Sequence, residues 1–225
     1  MNVKITKEQH KELEKLMYVE YLFGSQLHGI ATEESDFDYV RVIQDSFYDK
    51  FKTLAIFLPN IHSWQYDGEN NTQYVWMTET QFYRNFLMGD GNMLADIVIL
   101  SGEFEDSLFL SRTYKVIKGY LGVAKRDLRL HGNNEKKRFH AYRSLYMADR
   151  LIMNVLPTIK DIQALRKEAV PTKEQLSAQE QMLRERLNDM LNNGGIEMYP
   201  KFEEPNELVQ IMMNNNNVTE FKYEK

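Results

Sequence analysis

The sequence predicts an α/β fold, with strands and helices mixed in the N-terminal half and helices alone in the C-terminal half. Short runs rich in aromatic and branched residues at 18–23, 37–43 and 73–77 have the length and composition of strands. After about residue 110, apolar residues recur at helical spacing instead. We therefore expect a core at residues 1–110, followed by a helical and partly basic domain at residues 111–225.

The composition indicates a folded protein without disulfide chemistry. The chain has 225 residues, 43% of them hydrophobic, and this length is sufficient for one or two compact domains. It has no cysteine, which excludes disulfides and thiolate zinc sites. No run approaches the roughly 20 apolar residues of a membrane span, and the first residues lack the apolar segment of a signal peptide. We expect a cytoplasmic protein with no membrane partner.

The N-terminal half contains alternating strand and helix signals. Thr6 can cap a first helix that continues to about Met17. The elements expected after it are strands at 18–23 and 37–43, a helix at 46–51, strands at 54–58 and 73–77, and helices at 80–87 and 92–100. The last two helices are separated by a turn that contains two glycines, at 89–91.

Helical periodicity dominates the C-terminal half. Pro157 should end one long helix, and Thr172, which follows a proline, should begin another. The helices expected here are at 108–121, 134–156, 172–194 and 206–213. This half has no strand signal, so we expect it to pack as helices only.

The segment at residues 22–40, LFGSQLHGIATEESDFDYV, carries the chemistry that points to a function. Gly24 and Ser25 follow an apolar strand at the point where the chain turns into a short helix. Glycine lets the backbone approach a phosphate, and the first N–H groups of the helix and the serine hydroxyl can donate hydrogen bonds to it. We therefore expect Gly24 and Ser25 to bind a nucleotide phosphate. His28, in the same turn, is equally consistent with nucleotide contact and with helix packing.

A pair of carboxylates follows this turn. Asp36 and Asp38 stand at the start of the second strand, and residues i and i+2 of a strand point to the same face. Two neighbouring carboxylates repel each other and favour a bound cation. Mg²⁺, which often takes one or two carboxylates together with substrate phosphate oxygens, fits this pair, as does Mn²⁺. A phosphate-binding turn followed by such a metal site is the equipment of a nucleotidyl transfer enzyme.

Together the two motifs resemble the nucleotidyltransferases of the DNA polymerase β superfamily, whose pattern is hG[GS] followed by [DE]h[DE], where h is hydrophobic. The stretch GSQLHGIATEESDFD is most similar to the bacterial and phage nucleotidyltransferases of the type associated with RNA repair. The resemblance implies a polymerase-β-like core with a mixed sheet, an NTP substrate, and catalytic and metal-binding roles for Asp36 and Asp38. A phage-encoded chain would act in the host cytoplasm.

Two later segments extend the resemblance across most of the chain. Residues 91–97, GNMLADI, resemble the subgroup's GNP-x-x-L-E segment, with Met93 in place of proline and Asp96 in place of glutamate. Residues 136–143, KKRFHAYR, resemble its basic helix of the type K-x-x-x-H-x-x-R. The matching basic residues of that helix, which the resemblance implies bind the nucleotide, are Lys136, His140 and Arg143.

The third carboxylate of the superfamily has no obvious counterpart. Superfamily enzymes usually supply it from a later strand, often as the general base that deprotonates the attacking hydroxyl. By spacing it should stand near the start of the strand at 73–77, where this chain has Thr72, Gln73 and Tyr74. Asp67 and Glu69 precede that strand and could replace it if the loop folds back, and Asp96 is another carboxylate within the resemblance. We take Asp67 as the candidate third catalytic residue.

The net charge of −5 conceals one basic segment. Residues 112–150 hold eleven Lys and Arg against three Asp and Glu, a balance of +8, so the other residues hold seventeen against thirty, a balance of −13. Because polyanion binding depends on the local field, this segment favours nucleic-acid binding, with a solvated helix face as the alternative. The residues expected to contact a polyanionic acceptor are Lys125, Arg126 and Arg129.

Three functions are consistent with the sequence. The first is transfer of a nucleoside monophosphate from an NTP to a hydroxyl of RNA, at the 3′ end, with tRNA as one candidate. The second is transfer of AMP to a protein hydroxyl. The third is a nucleotide- or RNA-binding module without catalysis, which the missing third carboxylate favours. The long basic helical half favours the RNA acceptor.

Overall fold

The computed structural model shows an α/β fold built around a five-stranded mixed sheet. It describes residues 2–44, 63–89, 92–104 and 106–200. Three elements expected from the sequence lie outside the described residues, namely the helix at 46–51, the strand at 54–58 and the helix at 206–213. Within the described ranges, no helix is both long enough and apolar enough to cross a membrane.

The sheet combines parallel and antiparallel pairs. Its strands are β1 (Asn2–Lys4), β2 (Met17–Phe23), β3 (Phe37–Ile43), β4 (Ser63–Asp67) and β5 (Thr72–Thr78). The order across the sheet is β1-β4-β5-β3-β2, with β1–β4 and β3–β5 parallel and the other two pairs antiparallel. The sequence predicts β2, β3 and β5 but not β1 or β4, because both are short and lack a run of branched residues.

Nine helices occur in the described residues. They are α1 (Lys7–Glu14), α2 (Gly24–Leu27), α3 (Glu79–Leu87), α4 (Asn92–Leu100), α5 (Ser107–Ser111), α6 (Tyr114–His131), α7 (Glu135–Ile152), α8 (Ile159–Lys167) and α9 (Lys173–Asn192). Thr6 caps α1 as predicted, since its hydroxyl accepts a hydrogen bond from the N–H of Gln9 and the Gln9 side chain accepts one in return. The helix is shorter than predicted, because Met17 already belongs to β2.

The C-terminal helices depart from the sequence prediction in three places. The expected helix at 108–121 is instead α5 and α6, because Thr113 between them is extended and its side chain caps α6. α7 ends at Ile152, four residues earlier than predicted. α8, for which the sequence pattern gives no prediction, begins with a capping box between Thr158 and Asp161.

α1 covers one face of the sheet. Leu13 of α1 is fully buried, in a cluster whose other buried members are Ile5, Ile43, Trp64 and Trp76. His10 of α1 is also buried on this face. The indole Nε1 of Trp76 donates to His10 Nδ1 at 3.1 Å, and the His10 ring stacks on Tyr66 with centroids 4.1 Å apart. Aromatic packing therefore fixes α1 on the sheet.

The opposite face of the sheet packs against the other helices. Val40 and Met77 of the sheet share one buried apolar cluster with residues of α3, α4, α6, α7 and α9, such as Ile97 and Leu145. This cluster contains residues from both sides of the boundary predicted at residue 110, and the division into two domains stays a prediction. The core is therefore continuous from the sheet into the helical half.

Candidate functional site

Gly24 follows the last residue of β2 and begins α2, as the sequence predicts. It has a φ of 66°, in the left-handed region that favours glycine. α2 spans only four residues, so its dipole is small. A phosphate at this turn would therefore be held by individual donors, namely the free N–H groups at the start of the helix and the hydroxyl of Ser25.

The turn lies directly against one of the two predicted metal ligands. Phe23 pairs with Asp38 in the β2–β3 ladder, which brings the next residue, Gly24, beside the carboxylate. A Cβ atom added to Gly24 would stand 2.6 Å from Asp38 Oδ2. Asp36, one residue before β3, is exposed, whereas Asp38 is partly buried. The absence of a side chain at Gly24 thus leaves room for the backbone and the carboxylate to meet.

The two carboxylates affect each other electrostatically. Burial raises the pKa of Asp38 above its usual value, and the negative charge of Asp36 raises it further. A divalent cation would relieve both effects, so the pair fits the Mg²⁺ or Mn²⁺ that we expect. In the described part of the chain, no group of three or more His, Asp or Glu side chains could hold a metal ion. A metal at Asp36 and Asp38 would therefore need further oxygen ligands from substrate or water.

Gln73 stands in the strand position next to Asp38. β5 pairs in parallel with β3, and Gln73 is in register with Asp38. Asp67 of β4 is in register with Gln73 on the far side, so it lies two strands away from Asp38. The start of β5 therefore lies beside Asp38, and an amide occupies the position where the resemblance implies a carboxylate.

The other candidates for a third carboxylate have partners of their own. Asp67 accepts hydrogen bonds from Lys4 Nζ at 2.6 Å and from Gln73 Nε2 at 3.4 Å, and these hold its pKa below the usual value. A carboxylate with a lowered pKa is a weak proton acceptor. Glu69 pairs with Lys7 at 3.1 Å. A catalytic role for Asp67 stays a prediction.

His28, Asp96, Tyr120 and Arg143 form a buried polar cluster. His28 Nε2 lies 2.9 Å from Asp96 Oδ2, and Arg143 NH1 lies 2.9 Å from His28 Nδ1. The Tyr120 hydroxyl donates to Asp96 Oδ1 at 2.7 Å, and Arg143 NH2 is 3.6 Å from Asp96 Oδ2. The side chains of His28, Asp96 and Arg143 are 2%, 3% and 8% exposed. The contact of His28 and Arg143 with a nucleotide stays a prediction, and the structure gives both side chains protein partners.

Asp96 is the negative centre of this cluster. Burial acts to raise its pKa, but the facing His28, Arg143 and Tyr120 hydroxyl together lower it below the usual value. Burial and the Asp96 charge raise the pKa of Tyr120. The Tyr120 hydroxyl therefore stays protonated and donates a hydrogen bond to Asp96. Asp96 of α4 is thus ionised although it is only 2% exposed.

His140 and Lys136 lie toward the start of α7. His140 Nδ1 is hydrogen-bonded to Asp127 of α6, and its side chain is 29% exposed. Burial and the nearby Arg143 charge lower the pKa of His140, so the neutral imidazole donates its Nδ1 proton to Asp127. Lys136, one turn earlier, is exposed. Lys136, His140 and Arg143 share one face of α7 by helix spacing. Along this face the side chains change from exposed at Lys136 to partly buried at His140 and buried at Arg143.

The three predicted acceptor-binding residues lie on the exposed side of α6. Lys125, Arg126 and Arg129 are all exposed. Arg126 Nε donates to Asp127 Oδ1 at 3.0 Å, so part of its charge is already compensated. A separate cavity of about 680 Å³ is bordered by α5, by Arg112 and Thr113 just before α6, by Asn154 and Leu156 after α7, and by residues within 194–200. None of the predicted site residues lines it.

In comparisons with known proteins, no family model matches this chain, and no curated protein matches it either. The site is therefore defined by its own geometry: a glycine turn against a carboxylate pair at one end of a mixed sheet, beside a buried polar cluster that reaches into the helical half.

We predict that Asp38→Asn raises the melting temperature at pH 7 in the absence of divalent cations. A folded-state pKa above the unfolded value means that ionisation of Asp38 disfavours folding, so the wild type loses stability as pH rises through these values. The gain should disappear below about pH 4 and, given solvent screening, should reach no more than about 4 °C. Thermal unfolding across a pH series measures it.

Glu33→Gln is the matched control for that experiment. It removes the charge of an exposed acid in the loop between α2 and β3, and it should not change the melting temperature. Asp38→Asn that is less stable than the wild type at pH 7, or a gain that persists at pH 3, would contradict the electrostatic account of the pair.

Proposed function

We propose that this chain is a metal-dependent nucleotidyltransferase with a polymerase-β-like core, which transfers a nucleoside monophosphate from an NTP to the 3′ end of an RNA. The observation that carries this proposal is the closeness of Gly24 to the Asp38 carboxylate, whose Oδ2 atom would lie 2.6 Å from a Cβ atom added to Gly24. A phosphate-binding turn and a metal-binding pair this close would both be within reach of one triphosphate. Neither motif alone is specific, and their proximity in three dimensions is what nucleotidyl transfer requires.

In the proposed reaction, the acceptor hydroxyl gives up its proton to solvent water and its oxygen forms a bond to the α-phosphorus. The bond from that phosphorus to the oxygen that bridges it to the β-phosphorus breaks, and pyrophosphate leaves. Gly24 allows the backbone N–H groups to approach the β- or γ-phosphate, and the Ser25 hydroxyl donates a hydrogen bond to the same phosphate. Asp36 and Asp38 would hold Mg²⁺ or Mn²⁺, which would neutralise charge on the transferred phosphoryl group. His140 and Lys136 would contact the nucleotide from α7.

The charge distribution supports RNA as the acceptor. Lys125, Arg126 and Arg129 expose their side chains on one side of α6, on a chain whose residues outside 112–150 carry a net charge of −13. Exposed cations of this kind bind phosphates without large desolvation and raise the rate of association with a polyanion.

A non-catalytic nucleotide- or RNA-binding module is the second candidate. Gln73 beside Asp38 favours it, because an amide cannot accept the proton of an attacking hydroxyl. In this case NTP binding would persist and no transfer would follow. Measurements of binding and transfer on the same protein therefore separate the two candidates.

We predict that the wild type, given each labelled NTP, Mg²⁺ and total cellular RNA, incorporates label into RNA. Asp36→Ala should lower this transfer by about 100-fold or more, because one metal ligand is lost. Its melting temperature should stay within about 2 °C of the wild type, since Asp36 is exposed. Label in protein would identify a protein acceptor, and binding without label would identify the binding module. Wild-type transfer by Asp36→Ala would refute the metal site.

We predict that Gly24→Ala weakens binding of NTP with Mg²⁺ by about tenfold or more, measured by calorimetry. The new Cβ atom would stand 2.6 Å from Asp38 Oδ2, so either the turn or the carboxylate must move. Gly102→Ala is the matched control, because Gly102 has a φ of 76° and no atom within 4 Å of the added Cβ. Equal losses of affinity in both variants would mean that backbone strain alone is responsible.

We predict that Lys125→Ala/Arg129→Ala weakens RNA binding and lowers the slope of log affinity against log salt by about one to two units, since two phosphate contacts are lost. We leave Arg126 unchanged because it pairs with Asp127. Lys160→Ala/Lys167→Ala, which removes two exposed lysines from α8, should leave the slope unchanged. The same slope in all three proteins would exclude this surface as the RNA contact.

A further inference from the structure

His28 connects the phosphate-binding turn to the helical half of the chain. It immediately follows α2, and its backbone N–H donates to the Gly24 carbonyl oxygen at 3.2 Å. Two further bonds close the turn, from Gly29 N–H to Gln26 and from Ile30 N–H to Ser25, at 3.0 and 3.1 Å. The position of His28 therefore limits where Gly24 and Ser25 can lie.

A single helical turn does not hold its own conformation. Closing one turn fixes several dihedral angles for one hydrogen bond, so isolated turns of this length are unstable in water. α2 has four residues, and Leu27 is its one buried member. Its geometry must therefore come from contacts with the rest of the protein. The two ring nitrogens of His28 supply two polar contacts, and Gln163 Nε2 of α8 supplies another by donating to the Gly29 carbonyl oxygen at 3.1 Å.

Both ring nitrogens of His28 are occupied, and the partners fix its tautomer. Arg143 can only donate, so His28 Nδ1 accepts, and Nε2 carries the proton that His28 gives to Asp96. Arg143 also lies 3.6 Å from Asp96, so the imidazole fits between a cation and an anion that face each other. An apolar residue of the same size would leave Asp96 and Arg143 without their hydrogen bonds to the imidazole. A residue that only packed between helices would not need these hydrogen bonds.

We propose that His28 is a positioning residue, which holds the Gly24–Ser25 turn in its phosphate-binding conformation because Asp96 and Arg143 fix its imidazole. Arg143 acts through His28 in the same way, so it contributes to nucleotide affinity without itself touching the nucleotide. The effect on affinity rests on the function proposed above. The effect on the turn itself does not, and it can be measured on the protein without any ligand.

His28→Leu tests the proposal in two measurements. Without nucleotide, amide hydrogen exchange at His28, Gly29 and Ile30 should accelerate, because these amides carry the bonds that close the turn. In calorimetry, the Kd for ATP with Mg²⁺ should rise by about 10- to 100-fold, the range typical for loss of a supporting contact. His28→Gln, which keeps a donor toward Asp96, should recover part of both effects.

His10→Leu is the matched control. His10 is likewise a buried histidine with a partner at each ring nitrogen, Trp76 at 3.1 Å and Glu14 at 3.3 Å. It belongs to α1, which covers the opposite face of the sheet. It should lower stability while leaving exchange at residues 28–30 and the Kd unchanged. If His28→Leu does not fold, Tyr120→Phe provides the second variant, because it removes one bond to Asp96 and leaves His28 in place. It should accelerate exchange at the turn by a smaller factor.

The outcomes separate the two proposals. Unchanged exchange at residues 28–30 in folded His28→Leu, or equal changes in His10→Leu, would overturn the positioning role. Accelerated exchange with an unchanged Kd would overturn the link to nucleotide affinity. If the wild type binds none of ATP, GTP, CTP and UTP with Mg²⁺, the proposed function fails, and the exchange data alone then decide whether His28 holds the turn.

Discussion

One buried carboxylate determines how the sheet and the helices fit together. Asp96 is 2% exposed, and a charge in such a place is strongly destabilising unless several donors surround it. Its partners come from three different places in the chain: hydrogen bonds from His28 after α2 and from Tyr120 in α6, and an ion pair with Arg143 in α7. Because all three must reach the same two oxygen atoms, the charge of Asp96 fixes the relative positions of these elements.

The part of the site that depends on local geometry could be predicted from the sequence. The turn at Gly24 and the proximity of Asp36 to Asp38 need only a few neighbouring residues, whereas the pairing of Gln73 with Asp38 joins two separate strands and follows only from the structure. The burial of Arg143 could not be predicted. Helix spacing identifies which residues share a face, but not what packs against it, and arginine is usually exposed. The local charge of 112–150 therefore overstates the charge available at the surface.

The missed elements of the fold share one physical cause. β1 is three residues long, and its pairing with β4 joins positions about sixty residues apart, as in the bond from Lys4 to Asp67. Such a strand is stabilised by its partner rather than by its own composition. Thr113 separates α5 from α6, although the apolar residues of the two helices follow the spacing of a single helix. In the sequence a capping threonine is only one polar residue in an apolar pattern, so the break between the helices could not be predicted.

The buried cluster also has a consequence for the order of folding. His28 meets Asp96 and Arg143, which follow it by 68 and 115 residues in the chain. Contacts of such long sequence separation form late, because the intervening chain loses entropy before they can stabilise it. The β2–β3 pair, by contrast, joins strands that follow each other directly. During synthesis, the carboxylate pair can therefore form before α7 leaves the ribosome, whereas the turn beside it cannot yet make its contacts with α7. A chain truncated before α7 would form the strands of the site but not the native conformation of the turn.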